Sequence, residues 1–459
     1  MDYANVSYWL ESCGDDLTPR APLDGSVDVD VAILGAGYTG LWTAHSLLER
    51  DPSLRVLVVE KDIAGFGASG RNGAWCTFGF GAGPDLLLHH YSRDAAIAVH
   101  HAMVHTVEEV GRVAEAEGID AHYQRDGELS LAVGKHQLPA LDATQRSYDK
   151  LGLSDFVHRL DRDAAREKLD VAGVEGGIWF PATAAVHPGR LVRGLARAVE
   201  RKGATIVEQT AVTEVRPGSR PVLVTTRGTV RADVVVLAGE SYLSALPGYR
   251  RAVLPIYSLI VLTEPLTDTQ LEEIHWTHRA VVHSQALTVD YLSRTRDGRV
   301  LFGGRGAPYH FGSAIRPEFD RHEETHERLR RSIVEWFPSL AGVRTTHAWG
   351  GTVGVPRDWI PSMRYDRSSG IATSHGYTGE GVAATNLGGR VLADLITGHD
   401  TEITHLPMVG HHSRQWEPEP LRFLAARWLQ HASLALDEKA ARTGRPLTGR
   451  SVTERLIGH

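Results

Sequence analysis

Lysine and cysteine are scarce in this chain. Only six of the 49 basic residues are Lys, leaving 43 Arg, a bias that a GC-rich coding sequence explains. No Lys stands between Lys202 and Lys439. The two cysteines, Cys13 and Cys76, cannot build a disulfide framework and offer no zinc-ligand spacing. A reducing, cytoplasmic setting fits them. No run of about eighteen apolar residues occurs, so no membrane-spanning helix is expected. The opening MDYANVSYWLESCGDD lacks the basic and apolar regions of a signal peptide. Net charge is −7 and no basic block stands out, which argues against a nucleic-acid partner. There is no internal repeat and no low-complexity tract.

What is present is an ordinary globular composition and one telling stretch. The 459 residues, 42% hydrophobic, suffice for about two or three domains with a substantial core. An apolar run, Val29 to Leu34, ends on Gly35-Ala36-Gly37-Tyr38-Thr39-Gly40, and a helical pattern follows from Leu41 to about Arg50. A second apolar run, Val56 to Val59, ends on Glu60-Lys61, with the acid twenty residues past Gly40. Strand, glycine turn, helix, strand and acid in this order make a dinucleotide-binding unit. Gly35 serves the tight turn, Gly37 lets a pyrophosphate approach the backbone, and Gly40 lets the helix pack close to the sheet. The helix start at Tyr38 and Thr39 offers unpaired N–H groups and partial positive charge to phosphates. Glu60 can accept hydrogen bonds from an adenosine ribose. A lone GxGxxG is common in structural turns; the strand, helix and acid in register favour a bound dinucleotide here.

The next loop, Gly65-Phe66-Gly67-Ala68-Ser69-Gly70-Arg71-Asn72-Gly73, is too rich in glycine and small polar residues to be core. It does not open a helix directly after a strand, so its own glycine spacing is not a second nucleotide site. At this loop the chain resembles the FAD-dependent glycine/sarcosine/D-amino-acid oxidase superfamily, and GFGASGRNG is most similar to gamma-glutamylputrescine oxidase and its relatives. The resemblance implies FAD as cofactor, noncovalent by default, because the second-domain cysteine used by some sarcosine oxidases has no counterpart. It implies that Gly67, Ala68, Ser69, Gly70, Arg71, Asn72 and Gly73 lie along the pyrophosphate and flavin. It places Lys61 beside the nucleotide, Val212 near the adenine end, and the small-residue turn Ala238-Gly239 against the FAD. The following residue makes that turn Ala-Gly-Glu, where Ala-Thr-Gly is commoner. The flavin's pyrimidine edge is implied at Gly376-Tyr377-Thr378-Gly379-Glu380-Gly381, where the N–H groups of a helix opening at Val382 favour negative charge. Glu380 stands where His is frequent in the superfamily. A second anion there is unfavourable unless Glu380 points away or meets a cationic substrate.

The expected fold is α/β: a Rossmann-like FAD-binding domain with an interleaved α+β substrate domain on a mostly antiparallel sheet. The expected order begins with an N-terminal arm (1–27), a first FAD-binding segment (28–84) and a first helical/substrate segment (85–180). A second FAD-binding segment (181–245), a second substrate segment (246–350), a third FAD-binding segment (351–406) and a C-terminal helical tail (407–459) follow. Helices are expected over Pro84–Gly118, Gln137–Lys150, Pro188–Lys202 and Val382–Ile396. Strands of the second sheet are expected at Ser258–Glu264, Ala280–His283, Thr288–Arg294, Arg299–Gly303 and Thr346–Gly350. The first helix carries His89, His90, His100, His101 and His105. His101 and His105 lie one turn apart, but no acid ligand stands in register, so solvated or core-edge histidines are expected and no metal. In the tail, Leu421, Leu424 and Trp428 fall on one helical face. That face either packs on the body or meets a subunit partner, which leaves a homo-oligomer open.

The implied chemistry is oxidation of a C–N bond in a primary or secondary amine, giving an imine and then an aldehyde. The flavin does the hard chemistry, while the protein orients the substrate and favours the neutral amine. Trp349, with Gly350 beside it, stands where the resemblance runs a strand past the flavin; it is either a pocket wall or a core residue. Arg294, Arg305 and Arg357 are candidates for a substrate carboxylate, since Arg pairs with carboxylate in a bidentate way. Tyr257, Tyr291 and His347 are further candidates. Sarcosine oxidases of the superfamily place a Lys over the flavin for reaction with O2, and this chain has none in the corresponding region. His283, Arg305, His347 or His375 would have to substitute. Otherwise the enzyme is a slow oxidase or a dehydrogenase with another electron acceptor. A flavin-carrying subunit inactive without a partner is the remaining alternative.

Overall fold

A computed structural model of the protein describes residues 1–447; the end of the 407–459 tail lies outside them. Two large sheets organise the chain. The first has six strands, in the spatial order Ser362–Asp366, Ile371–His375, Val234–Leu237, Val31–Leu34, Val56–Val59 and Thr205–Val207. All neighbours are parallel except the edge pair Ser362–Asp366 and Ile371–His375. The central strands are unbroken apolar runs with nearly every residue buried, as a parallel sheet covered on both faces requires. One face carries the helices Tyr38–Arg50 and Gly381–Thr397. They meet so closely that a Cβ on Gly389 would lie 2.6 Å from the Trp42 carbonyl carbon. The other face is covered by a small four-stranded sheet whose Leu223 and Val230 join Ala32, Leu57 and Val235 in one core.

The second large sheet has eight strands, in the order Thr345–Val355, Leu254–Thr263, Val300–Gly304, Asp290–Arg294, Val281–Ser284, Glu128–Val133, Val174–Phe180 and His158–Leu160. Only Val281–Ser284 beside Glu128–Val133 is a parallel pair. Helix Glu323–Trp336 packs on this sheet through Leu329, Ile333 and Trp336. The chain passes between the two sheets repeatedly: residues 31–59 in the first, 128–180 in the second, 205–237 in the first, 254–355 in the second, 362–375 in the first. This is the expected α/β architecture with a mostly antiparallel second sheet.

Several local expectations change. The helical pattern over Pro84–Gly118 is two helices, Pro84–His90 and Arg93–Ala116. Tyr91 is extended, and Ser92 caps the second helix by accepting from Ala95 N at 3.2 Å. In that second helix His101 and His105 face solvent. His100 is buried against Phe78, Tyr148 and Phe156, and burial pushes its pKa down to about 4. Strands Leu254–Thr263 and Thr345–Val355 outrun the expected 258–264 and 346–350 and pair along their whole length. Pro255 and the glycines 351 and 354 hid that extension, because such residues depress strand propensity.

The tail forms a helix over Leu421–Thr443, and of the two expected uses of its apolar face, packing on the body is not the one seen. Leu421, Leu424 and Trp428 are 61%, 59% and 45% exposed, while Arg422, Ala426, Leu436 and Ala440 face the body. Arg422 decides this orientation: its guanidinium bonds the Arg250 carbonyl and the Glu419 carboxylate, both at 3.1 Å. Among the described residues no helix is long and apolar enough to cross a membrane.

Candidate active site

The glycine turn after the first strand is built as its spacing demands. Gly35 has φ +101°, which side-chain-bearing residues avoid, and a Cβ there would lie 2.8 Å from the Ala238 carbonyl oxygen. A Cβ on Gly40 would lie 1.9 Å from the Gly35 oxygen, so the helix rests directly on the turn. That helix starts at Tyr38, earlier than the apolar pattern from Leu41 indicated, with Gly37 as its cap. Ser69 Oγ accepts from Tyr38 N at 2.8 Å and joins the second loop to the first.

These loops surround a cavity of about 500 Å³ at the carboxyl ends of the parallel strands, the usual ligand position in an open α/β sheet. Gly35, Gly37, Tyr38 and Thr39 line it from the first turn, and Glu60 and Lys61 from the second strand. Gly67, Ala68, Ser69 and Asn72 line it from the glycine-rich loop. Val212, Ala238 and Gly239 complete one side; Gly379, Gly381 and Val382, from a loop more than 300 residues further on, complete the other. A helix start and a wall of glycines facing one elongate space suit a dinucleotide, whose phosphates need bare backbone N–H groups. The residues present fit the expected cofactor.

Other residues of the same segments shape the backbone without lining the cavity. A Cβ on Gly70 would meet the Gly65 oxygen at 2.3 Å, and one on Gly73 would meet Tyr291 at 2.6 Å. Gly376 and Thr378 carry the positive φ values of the third turn, +87° and +57°. Gly350 is a pairing residue of the second sheet. The Arg71 guanidinium leaves the cavity: it is buried in an ion pair with Asp320 and bonds the Phe66 carbonyl at 2.8 Å.

Two carboxylates are enclosed in the lining. Glu60 accepts from Ala36 N and Asp62 N, both at 2.9 Å, and burial pushes its pKa up to about 7. Glu240 accepts from Gly376 N at 2.9 Å and Gly354 N at 3.2 Å, and burial likewise raises it to about 7. Its backbone has φ +46°. Glu240 thus ties the third turn to the long Thr345–Val355 strand. Sequence reasoning passed over it; the signal was the acid in the Ala-Gly-Glu turn.

Beyond the third turn lies a charged group on the side of the second sheet. The Glu380 carboxylate accepts from Gly81 N in a close contact and does not cap its own helix. Burial pushes its pKa up, the Gly81 N–H opposing. Arg305 Nη2 donates to the Thr378 carbonyl at 2.9 Å. Glu128 accepts from Thr77 and Thr183, each at 2.9 Å, and faces His283 Nε2 at 3.5 Å. Burial alone would lower the His283 pKa, but Glu128 outweighs it and raises it.

Three proposed catalytic side chains lie elsewhere. Trp349 is 2% exposed, packs against Trp9 and Leu262, and donates Nε1 to the Arg71 carbonyl at 2.9 Å; it is the core alternative, not a cavity wall. His347 sits near the surface, 3.0 Å from Glu11. Tyr257 is buried on the far side of its strand, accepting from Arg316 N at 3.2 Å. By register Trp349 and His347 share one face of the sheet with Ile260 and Leu262, while Tyr257 lies on the opposite face with Leu259 and Val261. Arg294 and Arg357 are also committed, to the Trp276 carbonyl at 2.5 Å and to Glu417 at 3.2 Å. Tyr291 does stay near the glycine-rich loop, with its hydroxyl 2.8 Å from Ser258 Oγ. The one grouping of metal-ligand type among the described residues is His45, Glu49 and Glu117. There the Lys202 ammonium lies 3.1 Å from both carboxylates and Arg201 pairs with Glu117 at 3.0 Å, so the protein's own cations offset the two acids.

The model of the family described as FAD dependent oxidoreductase matches residues 30–395. The chain belongs to this family of FAD-dependent oxidoreductases. It is 30% identical over 417 residues to the gamma-glutamylputrescine oxidoreductase of Escherichia coli (strain K12), covering 88% of this chain and 94% of that one. It is 32% identical over 399 residues to the probable oxidoreductase OrdL of Rhizobium meliloti (strain 1021), covering 86% and 89%. Among solved structures it resembles glycine oxidase from Geobacillus kaustophilus, with a TM-score of 0.67, 23% identity, and coverage of 84% of this chain and 99% of that one. That likeness is one of fold.

Proposed function

We propose that this FAD-dependent oxidoreductase oxidises a C–N bond of a primary or secondary amine. The observation that carries the proposal is the meeting of three distant segments around one cavity, in a chain similar along 88% of its length to gamma-glutamylputrescine oxidoreductase. A substrate R–CH2–NHR′ loses two electrons and two protons to give R–CH=NR′, which water converts to an aldehyde and H2NR′. Bound FAD supplies the acceptor for those electrons. The residues that would hold the nucleotide are Glu60 for the ribose, the Tyr38–Thr39 helix start and Ser69 for the phosphates, and the Gly379–Val382 turn for the flavin's pyrimidine edge. Binding is noncovalent with respect to thiols, since Cys13 and Cys76 are buried and neither lines the cavity. Of the three arginines considered for a substrate carboxylate, Arg294 and Arg357 are engaged elsewhere and only Arg305 stays beside the third turn.

Two electron acceptors are compatible with this chemistry. With O2, the electrons and protons leave as H2O2. The absence of Lys between Lys202 and Lys439 favours a slow oxidase, or a dehydrogenase with a protein or quinone acceptor. The exposed Leu421, Leu424 and Trp428 suit a subunit contact, within a homo-oligomer or with an electron-accepting partner. A cytoplasmic location accords with the free cysteines.

The deciding experiment is anaerobic flavin bleaching across amines, polyamine derivatives and amino acids, followed by air. Bleaching by an amine with fast recovery establishes an oxidase. Bleaching with slow recovery establishes a dehydrogenase. No bleaching by any of them overturns the amine reading.

A further inference from the structure

Glu380 lies between two cavity-lining glycines, 379 and 381. Its Oε2 accepts from Gly81 N, while its Oε1 lies against Gly79 and receives no donor among the described residues. The side chain is half-buried. It forms no ion pair among the described residues. Arg305 is turned to the Thr378 carbonyl, and His283 is paired with Glu128. Glu128 already accepts from Thr77 and Thr183 and is offset by His283. Glu380 therefore offers one carboxylate oxygen at the edge of the site that receives no donor and has no offsetting charge in contact among the described residues.

A ligand ammonium supplies that contact. The nitrogen being oxidised cannot be this ammonium, because it needs its lone pair to form the imine. The cation must be a second one on the same molecule. We propose that Glu380 binds a second ammonium group remote from the oxidised carbon, so that the substrate class is a diamine or an N-alkylated polyamine. This rests on the amine-oxidation reading above. Arg305 repels that cation, but from outside contact distance, whereas the ammonium would hydrogen-bond Oε1 directly; contact pairs dominate at partial burial.

The test compares anaerobic flavin bleaching of the holoenzyme by matched pairs: n-butylamine with 1,4-diaminobutane, and n-pentylamine with 1,5-diaminopentane. In the wild type the second amine should improve the apparent kcat/KM by about tenfold or more, the size of one good ion pair. Glu380→Gln should cut that advantage to about threefold or less. Glu128→Gln, which removes a carboxylate already offset by His283, should keep the advantage. Glu380→Asp, one methylene shorter, should move the preference toward the longer diamine, and it decides the matter if Glu380→Gln retains no flavin. A wild type that treats each pair alike, or a Glu380→Gln enzyme with the wild-type preference, overturns the assignment while leaving amine oxidation intact. Failure of every amine to bleach the flavin overturns both.

Discussion

The indole Nε1 of Trp9 donates to the backbone carbonyl of Asn72 at 2.7 Å. Two residues earlier, Ser7 Oγ donates to the Gly70 carbonyl at 2.6 Å. The N-terminal arm thereby clamps the glycine-rich loop that lines the cofactor cavity. A loop of small residues has little side-chain packing of its own to hold it. Trp9→Ala should cost about 3–5 kcal/mol through lost core packing and should release FAD. Trp9→Phe keeps an aromatic ring but not the donor, and should lose about 1 kcal/mol more than packing alone through the orphaned carbonyl. Thermal unfolding and the flavin-to-protein absorbance ratio check both. Full flavin occupancy in Trp9→Ala would show the clamp to be dispensable.

Gly37 tests the phosphate assignment apart from backbone strain. Its φ is −83°, open to any residue, and a Cβ would meet Ser69 Oγ at 3.0 Å. Gly37→Ala should therefore fold, losing about 1 kcal/mol or less at the helix cap. It should lose FAD, because the methyl group stands where the pyrophosphate approaches. Apoprotein melting and equilibrium dialysis against FAD separate the two effects. Undiminished affinity would move the phosphates off this turn.

The strands of the first sheet and the glycine turns that end them were legible because apolar runs, glycine turns and helix starts are local patterns. Val31–Leu34, Val56–Val59 and Val234–Leu237 need only their own residues to declare them. The substrate side was less legible. Trp349, His347 and Tyr257 sit on two long paired strands, and which face of a strand meets the site depends on register and twist set by distant partners. The Glu128–His283 contact joins residues 155 apart across a parallel pair that no local signal announces. Glu380 was legible as an acid in a glycine turn, while its contact with Gly81 was not.

Trp349 now reads as a structural residue, and that has a measurable consequence. Its ring fills a cluster with Trp9, Ile260 and Leu301, and its Nε1 holds the Arg71 carbonyl. Trp349→Phe should lower stability by about 1–3 kcal/mol through a partial cavity and a lost hydrogen bond. KM for an amine substrate should stay within about twofold, since no substrate contact is removed. Denaturant unfolding and steady-state kinetics read the two. A large KM change without a stability change would return Trp349 to the pocket wall.

Glu240 links stability to pH through one buried group. Its pKa is about 7 in the folded protein against an ordinary 4.5, so the folded state binds more protons than the unfolded one between those values. The stabilisation this group contributes is fully present below pH 4.5 and is lost as pH rises through about 7, on the order of 3 kcal/mol in all. Glu60 acts in the same direction. Glu240→Gln removes one ionisation, so the fall in apoprotein Tm between pH 5 and pH 8 should shrink by roughly half of what the two acids contribute together. The same variant replaces an acceptor by an N–H donor facing Gly354 N or Gly376 N, and should lower Tm at pH 5 by loosening the third turn. Melting curves of both proteins at four pH values distinguish these effects. An unchanged slope would mean that Glu240 stays ionised when folded, held by its two backbone donors against the cost of burial.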